Sequence, residues 1–169
     1  MTAPETPPDQ LVSRAVPSPI GTLHVTATAS AVVEIAFAGR PARGADHPAA
    51  HPVLDAAAAQ LAEYFAGART AFELPLAPPG TAFQQLAWAE LRAIPYGSTI
   101  SYGDQALRLG DPNKARAVGA ANGRNPIPIV VPCHRVVGSN GKLTGFAGGV
   151  DVKQWLLEHE QRVLGARLF

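Results

Sequence analysis

The sequence predicts an α+β protein: a small N-terminal domain of β-meander and helix, followed by a mostly α C-terminal domain that contains a helix-turn-helix. Three observations indicate this class. Apolar residues alternate with polar ones over SPIGTLHVTATASAVVEIAFAG, they recur at helical spacing later in the chain, and the proline-rich segment ELPLAPPG separates the two regions. We therefore expect an N-terminal domain over residues 13–75 and a C-terminal domain over residues 81–169.

The N-terminal region is predicted to contain a tail, a meander and one helix. Residues 1–12 are rich in proline and poor in large apolar side chains, which predicts a disordered tail. The alternation around Leu23 and Val25, followed by the apolar run Val32 to Phe37, predicts a β-hairpin or meander. A loop of turn residues comes next. The helix after it is predicted from the spacing of Leu54, Leu61, Tyr64 and Phe65.

The C-terminal region is predicted to begin with an amphipathic helix. Thr81 and Gln84 have the spacing of a capping box, and Pro95 with Gly97 marks the end of the helix. The apolar residues of this helix are Phe83, Leu86, Trp88, Leu91 and Ile94.

A helix-turn-helix is predicted next. Ser101 and Asp104 form a weaker capping box that opens a short helix ending at Gly110. Asp111 then caps a further helix that has Pro112 in its first position. Two short helices joined by a tight glycine-containing turn are typical of a DNA-binding motif, although an isolated match favours an ordinary helical hairpin.

Composition excludes several classes of protein. A single cysteine cannot form an internal disulfide, and five scattered histidines without a cysteine pair do not predict a zinc site. No apolar stretch approaches the length of a membrane-spanning helix, and the start, MTAPETPPDQ, lacks the order of a signal peptide. We expect a soluble, cytoplasmic protein with no metal and no other cofactor.

Positive charge is concentrated in the middle of the chain. Residues 92–142 carry seven basic and two acidic side chains, whereas residues 1–91 carry four basic and eight acidic ones. A basic segment of this kind indicates a polyanion as partner. A solvated surface without a partner explains the charge equally well.

The only cysteine, Cys133, lies in VPCHRVVG. The prolines of NPIPIVVPC predict an extended, buried segment around it. A thiol with an ordinary pKa of about 8.5 is only slightly ionised at neutral pH, so a catalytic cysteine needs a base or a positive environment. His134 and Arg135 offer both. Because neighbouring side chains of a strand face opposite sides, His134 can reach the thiol directly only if the chain turns there, and we expect a bridging water instead. The alternative is a small hydrophobic core residue.

A carboxylate is predicted on the core-facing side of the last helix. Glu160 lies four residues after Leu156 in DVKQWLLEHEQRV. A buried carboxylate needs a partner, and an imidazole is suitable because glutamate can fix its tautomer. Pairing with a surface arginine is an equally good explanation. The other residues of the stripe are Val152, Trp155, His159 and Val163.

Together these residues resemble one family. PCHRV, preceded by RAVGAANGRNPIPIVV and followed by GSNGKLTGFAGGVDVKQWLLEHE, is similar to the O6-alkylguanine-DNA alkyltransferases, also called methylated-DNA–protein-cysteine methyltransferases. The resemblance is strong over Thr81 to Glu160 and looser before it, where it implies a ribonuclease H-like domain. It implies repair of duplex DNA by stoichiometric transfer of an alkyl group from O6-alkylguanine to Cys133, and leaves O4-alkylthymine open as a second substrate.

The resemblance implies a role for individual residues of the site. Cys133 matches the nucleophile, His134 the base that activates it through a water, and Glu160 the carboxylate that orients the imidazole. Asn125 matches the asparagine that ties the helix-turn-helix to the active-site segment. Tyr102 matches the tyrosine that promotes nucleotide rotation and donates to the flipped guanine. These five residues are the predicted catalytic set.

An interface with the minor groove of DNA is also implied. Arg116 matches the arginine finger that enters the duplex and occupies the space left by the extruded base. The recognition helix carries small residues that permit a close approach, namely Ala115, Gly119 and Ala120. Other DNA contacts are expected from the basic residues Lys114, Arg124 and Arg135. The protein is expected to act as a monomer and to associate with the nucleoid when bound to DNA.

The loop Gly145 to Gly149 resembles the lip of the alkyl pocket. A serine that is common in this lip in some relatives is Ala147 here, so only backbone donors would contact the guanine oxygen. The predicted pocket residues are Tyr102, Val136, Phe146, Ala147 and Gly148.

Without the resemblance, two other functions stay open. A hydrolase with a Cys-His-Glu triad would use the same three side chains and turn over repeatedly. A regulator with a helix-turn-helix would bind DNA without performing chemistry.

Overall fold

The computed structural model describes residues 10–167, which form two compact units divided in the sequence between Pro79 and Gly80. The N-terminal unit contains a sheet and one helix, and the C-terminal unit is mainly helical, which confirms the predicted α+β class. Most of the predicted tail lies outside the described residues. Its last residue, Val12, begins a strand, so the predicted boundary is wrong there.

Four strands form the sheet of the N-terminal unit: β1 (Val12–Val16), β2 (Leu23–Ala27), β3 (Val32–Ala36) and β4 (Ala45–Asp46). The order is β3-β2-β1-β4; the first three strands are antiparallel, which confirms the meander, and β4 is parallel to β1. The two-residue strand β4 lies in a segment predicted as loop, because it is too short to show any alternation.

Helix α1 (Pro52–Phe65) matches the predicted helix and covers the sheet. Its apolar residues Leu54, Leu61 and Tyr64 are completely buried. The helix begins at an unusual cap, since the Nδ1 atom of His51 accepts a hydrogen bond from the backbone N–H of Leu54 at 3.1 Å. An acceptor at this position satisfies one of the N–H groups that a helix start leaves without a partner.

The C-terminal unit contains four helices among the described residues: α2 (Ala82–Arg92), α3 (Tyr102–Arg108), α4 (Ala115–Gly123) and α5 (Val150–Arg167). Both predicted capping boxes are confirmed: Thr81 accepts from the N–H of Gln84 at 3.2 Å, and Ser101 accepts from the N–H of Asp104 at 3.0 Å. Of the apolar residues predicted for α2, Leu86 is 60% exposed and takes no part in the core.

The turn of the helix-turn-helix differs from the prediction. Asp111 caps a 3₁₀ turn, Pro112–Lys114, and the second helix begins only at Ala115. The Asp111 carboxylate accepts from the N–H of Asn113 at 2.9 Å, and its carbonyl accepts from the N–H of Lys114 at 3.1 Å. This second bond spans three residues, which closes the tighter turn.

Buried amides hold the three helices around this turn. Gln105 of α3 and Asn122 of α4 exchange two side-chain hydrogen bonds, at 3.1 and 2.8 Å, and Gln105 also donates to the carbonyl of Ala87 in α2 at 3.1 Å. The indole N–H of Trp88 donates to the carbonyl of Ala121 at 2.8 Å. Buried polar groups that are fully paired fix one arrangement of helices.

A short parallel sheet brings the start of α3 to the segment that follows the cysteine. Strand β5 (Ile100–Ser101) pairs with β6 (Val136–Val137), with Ile100 opposite Val136. Within residues 10–167, no helix combines the length and the apolar character needed to cross a bilayer.

The cap of α1 should depend on pH. Burial, with the nearby His47 and Arg14, lowers the pKa of His51 below 6.5, so the neutral ring that accepts from Leu54 is the form that the fold favours. Its contribution is fully present above the unfolded pKa of about 6.5 and is lost as pH falls through the lower folded value. At pH 7.5, His51→Ala should lower the protection of the Leu54 amide about fivefold, because a lost cap costs roughly 1 kcal/mol.

Hydrogen exchange followed by NMR measures this effect. His51→Asn is the control, since an asparagine cap accepts the same hydrogen bond at every pH. Wild-type protection that falls below pH 6 while that of His51→Asn stays constant supports the cap. Parallel behaviour of the two proteins contradicts it.

Candidate active site

Asn125 fixes the segment that leads to the cysteine. Its side chain is buried, donates from Nδ2 to the carbonyl of Val131 at 2.8 Å and accepts from the N–H of Ile127 at 3.0 Å. The same carboxamide therefore holds both ends of the stretch between residues 127 and 131.

Between these two anchors the backbone is strained. Ile129 has a φ of 74°, in the left-handed region that a β-branched side chain rarely adopts. The N–H of Val130 donates to the carbonyl of Pro128 at 2.9 Å, which closes a γ-turn with Ile129 at its centre. With a positive φ at the central residue, this is the rare and strained one of the two γ-turn forms. Such a conformation costs on the order of 1–3 kcal/mol and persists only where its surroundings enforce it. Here the bonds of Asn125, together with the bond from the N–H of Val131 to the carbonyl of Ile127 at 2.9 Å, close the turn around Ile129.

The cysteine itself lies in a 3₁₀ turn, Cys133–Arg135. The segment is buried as predicted, but the expectation of an extended chain is wrong at this point. The N–H of Cys133 donates to the carbonyl of Val131 at 2.8 Å, and the N–H of Arg135 donates to that of Pro132 at 3.0 Å, so the chain curls after the last proline. Successive side chains of a 3₁₀ turn are about 120° apart, so Cys133 and His134 do not point to opposite faces as they would in a strand.

The Glu160 carboxylate is completely buried, and both of its oxygens accept hydrogen bonds. Its Oε1 atom accepts from the N–H of Gly97 at 3.0 Å and from Nε of Arg135 at 2.9 Å. Its Oε2 atom accepts from Nη2 of Arg135 at 3.0 Å and lies 2.7 Å from Nε2 of His134. Both partners considered from the sequence, an imidazole and an arginine, are thus present, and the arginine is a buried one.

These bonds determine the tautomer of His134. Burial alone would raise the pKa of Glu160, but the bonds and charges of His134 and Arg135 outweigh it and hold that pKa far below its usual range. An ionised carboxylate only accepts, so Nε2 of His134 carries a hydrogen. Burial lowers the pKa of His134 in spite of the opposing effect of Glu160, so the ring is neutral near pH 7 and its Nδ1 atom is an acceptor.

That Nδ1 atom is buried and has no hydrogen-bond partner in the part of the chain that the structure describes. A buried acceptor without a partner costs about 1–3 kcal/mol. It also satisfies the first requirement of a general base, a lone pair in a fixed position.

Cys133 is 8% exposed. Burial raises the pKa of its thiol to about 11, against the lowering effects of a hydrogen bond with Asn125 and of the positive charge of Lys153. The thiol is therefore protonated at neutral pH, and a thiolate forms only when a base removes the proton.

Tyr102, Thr144 and Lys153 form a second group of linked side chains. The Thr144 hydroxyl donates to the phenolic oxygen of Tyr102 at 3.2 Å. The Lys153 ammonium donates to the carbonyl of Thr144 at 3.0 Å and lies 5.8 Å from the centroid of the Tyr102 ring. A cavity of about 390 Å³ opens beside this group and is lined by Tyr102, Ala115, Arg116, Gly119, Thr144 and Gly145.

Of the residues predicted for a DNA interface, all except Arg135 have positions that fit the prediction. Arg116, Lys114 and Arg124 are exposed, and the small residues Ala115, Gly119 and Ala120 lie on α4. Arg135 is a correction, because its side chain is buried and its guanidinium is occupied by bonds to Glu160 and to the carbonyl of Ile94, the latter at 2.8 Å.

The residues predicted for the pocket are only partly placed at the cavity. Tyr102 lines it, whereas Val136 is completely buried, pairs with Ile100 and does not line this cavity. Phe146, Ala147 and Gly148 belong to the loop that follows the cavity residue Gly145.

Sequence reasoning missed Lys153 and Thr144. Lys153 precedes the apolar Trp155 by two positions and has a charged side chain, so helical periodicity alone gave no reason to bury it. Only its spacing of seven residues from Glu160, which places both on one helical face, could have indicated its position.

Comparison with known proteins decides the family. Residues 82–162 match the DNA binding domain of 6-O-methylguanine DNA methyltransferase, and residues 11–78 match its ribonuclease-like domain. The chain belongs to the 6-O-methylguanine DNA methyltransferase family. It is therefore a DNA-repair protein that transfers an alkyl group to a cysteine.

Similarity to individual proteins supports this family assignment. A methylated-DNA–protein-cysteine methyltransferase of Methanosarcina acetivorans is 56% identical over 104 residues, which are 62% of this chain and 67% of the relative. That of Mycobacterium bovis is 46% identical over 152 residues, 88% of this chain and 91% of the relative. The crystal structure of Mycobacterium tuberculosis OGT in complex with DNA has a TM-score of 0.84 and 44% identity, covering 90% of this chain and 94% of that one.

Removal of Arg135 should destabilise the protein strongly. Arg135→Met leaves the Glu160 carboxylate buried without its main counterion, which typically costs about 3–5 kcal/mol. Because the pKa of Glu160 is depressed, the stability gained from its pairing is present above the unfolded value near 4.5 and is lost as pH falls through the folded one. The difference between the two proteins should therefore shrink in acid.

Urea denaturation followed by tryptophan fluorescence measures the difference, since both tryptophans, Trp88 and Trp155, lie in the C-terminal unit. Arg92→Met, which removes an exposed arginine, is the control and should change the unfolding free energy by less than about 0.5 kcal/mol. A cost for Arg135→Met as small as that of the control would show that the buried pair does not stabilise this unit.

Proposed function

We propose that Cys133 is the residue that accepts the alkyl group, from O6-alkylguanine in duplex DNA, with His134 as base. One observation carries the proposal: the imidazole is held by an ionised glutamate so that its unpaired Nδ1 atom is an acceptor, beside a thiol that stays protonated until a base acts. As the family resemblance implies, a water between Nδ1 of His134 and Sγ of Cys133 completes the path for the proton.

The chemistry is a displacement at the alkyl carbon. The S–H bond of Cys133 breaks and its proton passes through the water to Nδ1 of His134. The sulfur forms a bond to the alkyl carbon as the bond from that carbon to O6 breaks, and the electron pair of this bond remains on guanine. Guanine then takes up a proton from the Tyr102 hydroxyl, which accepts from Thr144 and can direct its own hydrogen toward the cavity. The proton held by His134 is released to solvent, and the tyrosinate takes one up from solvent, so both side chains end neutral.

The nucleotide has to leave the duplex to reach the thiol. Extrusion costs a few kcal/mol, less for a poorly paired lesion, and Arg116 offsets part of this cost by occupying the vacated space. Arg116 is exposed and lines the cavity, which suits both the entry into DNA and a location next to the extruded base. Lys114 and Arg124 contact phosphates, which gives binding that depends on salt and not on sequence.

Recognition of the base involves the rim of the cavity. Small residues on α4, Ala115, Gly119 and Ala120, permit the helix to approach the minor groove. The loop from Gly145 to Gly149 forms the lip, where Ala147 leaves contacts to the guanine oxygen to backbone N–H groups. These contacts do not distinguish O6-alkylguanine from O4-alkylthymine, so both lesions belong in the test.

The protein acts once. A thioether is a poor leaving group, and no residue of the proposed site is placed to cleave it. The alkylated protein is then a product and not an intermediate. A lone reduced thiol fits the cytoplasm, with the protein on the nucleoid when bound to DNA.

Mass spectrometry of the protein after mixing with duplex DNA containing O6-methylguanine tests the proposal. We expect one added methyl group on the peptide that contains Cys133, with saturation at one lesion per protein. A duplex with O4-methylthymine, tested in parallel, reports whether the second lesion is a substrate. Continued product formation beyond one equivalent, or methylation of another peptide, would overturn the assignment.

Cys133→Ala is the matched control for binding. Because the replaced thiol is small and buried, this variant should keep its fold, bind the duplex with unchanged affinity and accept no methyl group. If Cys133→Ala loses both DNA binding and methyl transfer, the cysteine has a structural role and is not shown to be the acceptor.

The base should give a characteristic pH profile. Because the pKa of His134 is lowered from 6.5, the transfer rate constant should be nearly independent of pH from 8 to 6.5 and fall only in more acidic solution. Glu160→Gln should reduce the rate about 10²–10⁴-fold, the usual contribution of a positioned base. Glu158→Gln, an exposed change on the same helix, is the control and should leave the rate unaltered. Single-turnover quench experiments measure these rates, and a profile that declines from pH 8 downward would exclude a neutral His134 as the base.

A further inference from the structure

Lys153 is a buried cation that the proposed mechanism does not use. It is 1% exposed, among the most completely buried large side chains of the described residues. Its ammonium donates to the carbonyl of Thr144, and no carboxylate of residues 10–167 lies within ion-pair distance of it. A buried charge without a counterion is expensive, so its presence calls for a compensating anion.

The position of Lys153 in its helix adds to this cost. Its N–H donates to the carbonyl of Gly149 at 3.1 Å, so the residue lies in the opening turns of α5. The N-terminus of a helix carries partial positive charge, which disfavours a cation and favours an anion. Packing alone would select an apolar side chain here.

The anion that fits is the thiolate of Cys133. Helix α5, which carries Lys153, packs against the turn Cys133–Arg135 that holds this thiol. Burial raises the pKa of the thiol, and the positive charge of Lys153 acts in the opposite direction. Other titratable groups of this site are His134 and Arg135, in the same turn as the thiol and bonded to Glu160, and Tyr102, whose ring lies beside Lys153. Glu160 is already compensated by Arg135, so it does not cancel the charge of Lys153.

We propose that Lys153 is a positioning residue of the alkyl-transfer site, which stabilises the transient Cys133 thiolate with its ammonium and anchors the cavity rim through Thr144. The inference rests on Cys133 being the acceptor. It gives the buried cation two functions: it provides the positive potential that the thiolate needs at the moment of attack, and it holds the backbone that orients the Tyr102 hydroxyl.

Thiol reactivity without DNA tests this role. Rate constants for alkylation of Cys133 by iodoacetamide between pH 7 and 9 report the thiolate fraction, since this range lies well below the pKa of about 11. Lys153→Met should lower these rate constants about tenfold or more at every pH, because a neighbouring charge typically moves a pKa by one unit or more. Lys153→Arg keeps the charge and should recover most of the loss.

Two controls separate charge from structure. Lys142→Met removes an exposed cation from the loop before the lip and should leave the profile unaltered. Methionine has a length similar to that of lysine and no charge, so Lys153→Met should fold, which circular dichroism and unchanged affinity for undamaged duplex DNA would verify. A folded Lys153→Met with the wild-type iodoacetamide profile would overturn the proposal.

Methyl transfer from O6-methylguanine DNA separates the proposal from the assignment of the acceptor. If wild-type Cys133 takes no methyl group, the proposed function fails, whereas the iodoacetamide profiles still decide whether Lys153 acts on the thiol. If transfer is normal and Lys153→Met has the wild-type profile, only the role of Lys153 fails.

Discussion

The ion pair between Glu160 and Arg135 is the interaction on which the C-terminal unit depends. Two parallel hydrogen bonds join the side chains, at 2.9 and 3.0 Å, and each partner also binds backbone between α2 and β5. Glu160 accepts from the N–H of Gly97, while Arg135 donates to the carbonyl of Ile94. Gly97 has a φ of 78°, and a Cβ atom there would collide with the side chain of Leu164, so α5 packs directly on this turn. One ion pair thus joins the last helix, the cysteine turn and the end of α2.

The same pair sets the charge of His134. If His134 were the only partner of Glu160, the buried carboxylate would favour an imidazolium. Arg135 supplies the counterion instead, and the imidazole can remain neutral with a lone pair on Nδ1. The resting site therefore contains a neutral base and a neutral thiol rather than an ion pair of the two. A protein that reacts once benefits from this arrangement, because a permanently ionised thiol would be open to other electrophiles.

Local signals made much of the fold predictable, and long-range contacts account for most of what was missed. The capping boxes at Thr81 and Ser101 depend on residues three positions apart, so the sequence showed them directly. Helical periodicity predicted a core-facing Glu160 but left a surface ion pair as an equal alternative. The positive φ of Ile129 lies in a turn that the side chain of Asn125 helps to close. No local sequence pattern reveals these side-chain bonds. Arg135 was assigned to the DNA surface because its partner, 25 residues away, is known only from the fold.

Helix α5 packs against the cysteine turn and carries two opposite charges, Lys153 and Glu160. Lys153 and Glu160 are seven residues apart, so they share one face and are separated by about 10 Å along the axis at 1.5 Å per residue. The cation influences the thiol, and the anion holds the imidazole. In the proposed mechanism, transfer of the proton from Cys133 to His134 gives a negative sulfur under the influence of Lys153 and a positive ring bonded to Glu160. On that proposal, the charges of α5 stabilise the charge separation that precedes attack, while the neutral resting pair gains little from the same field.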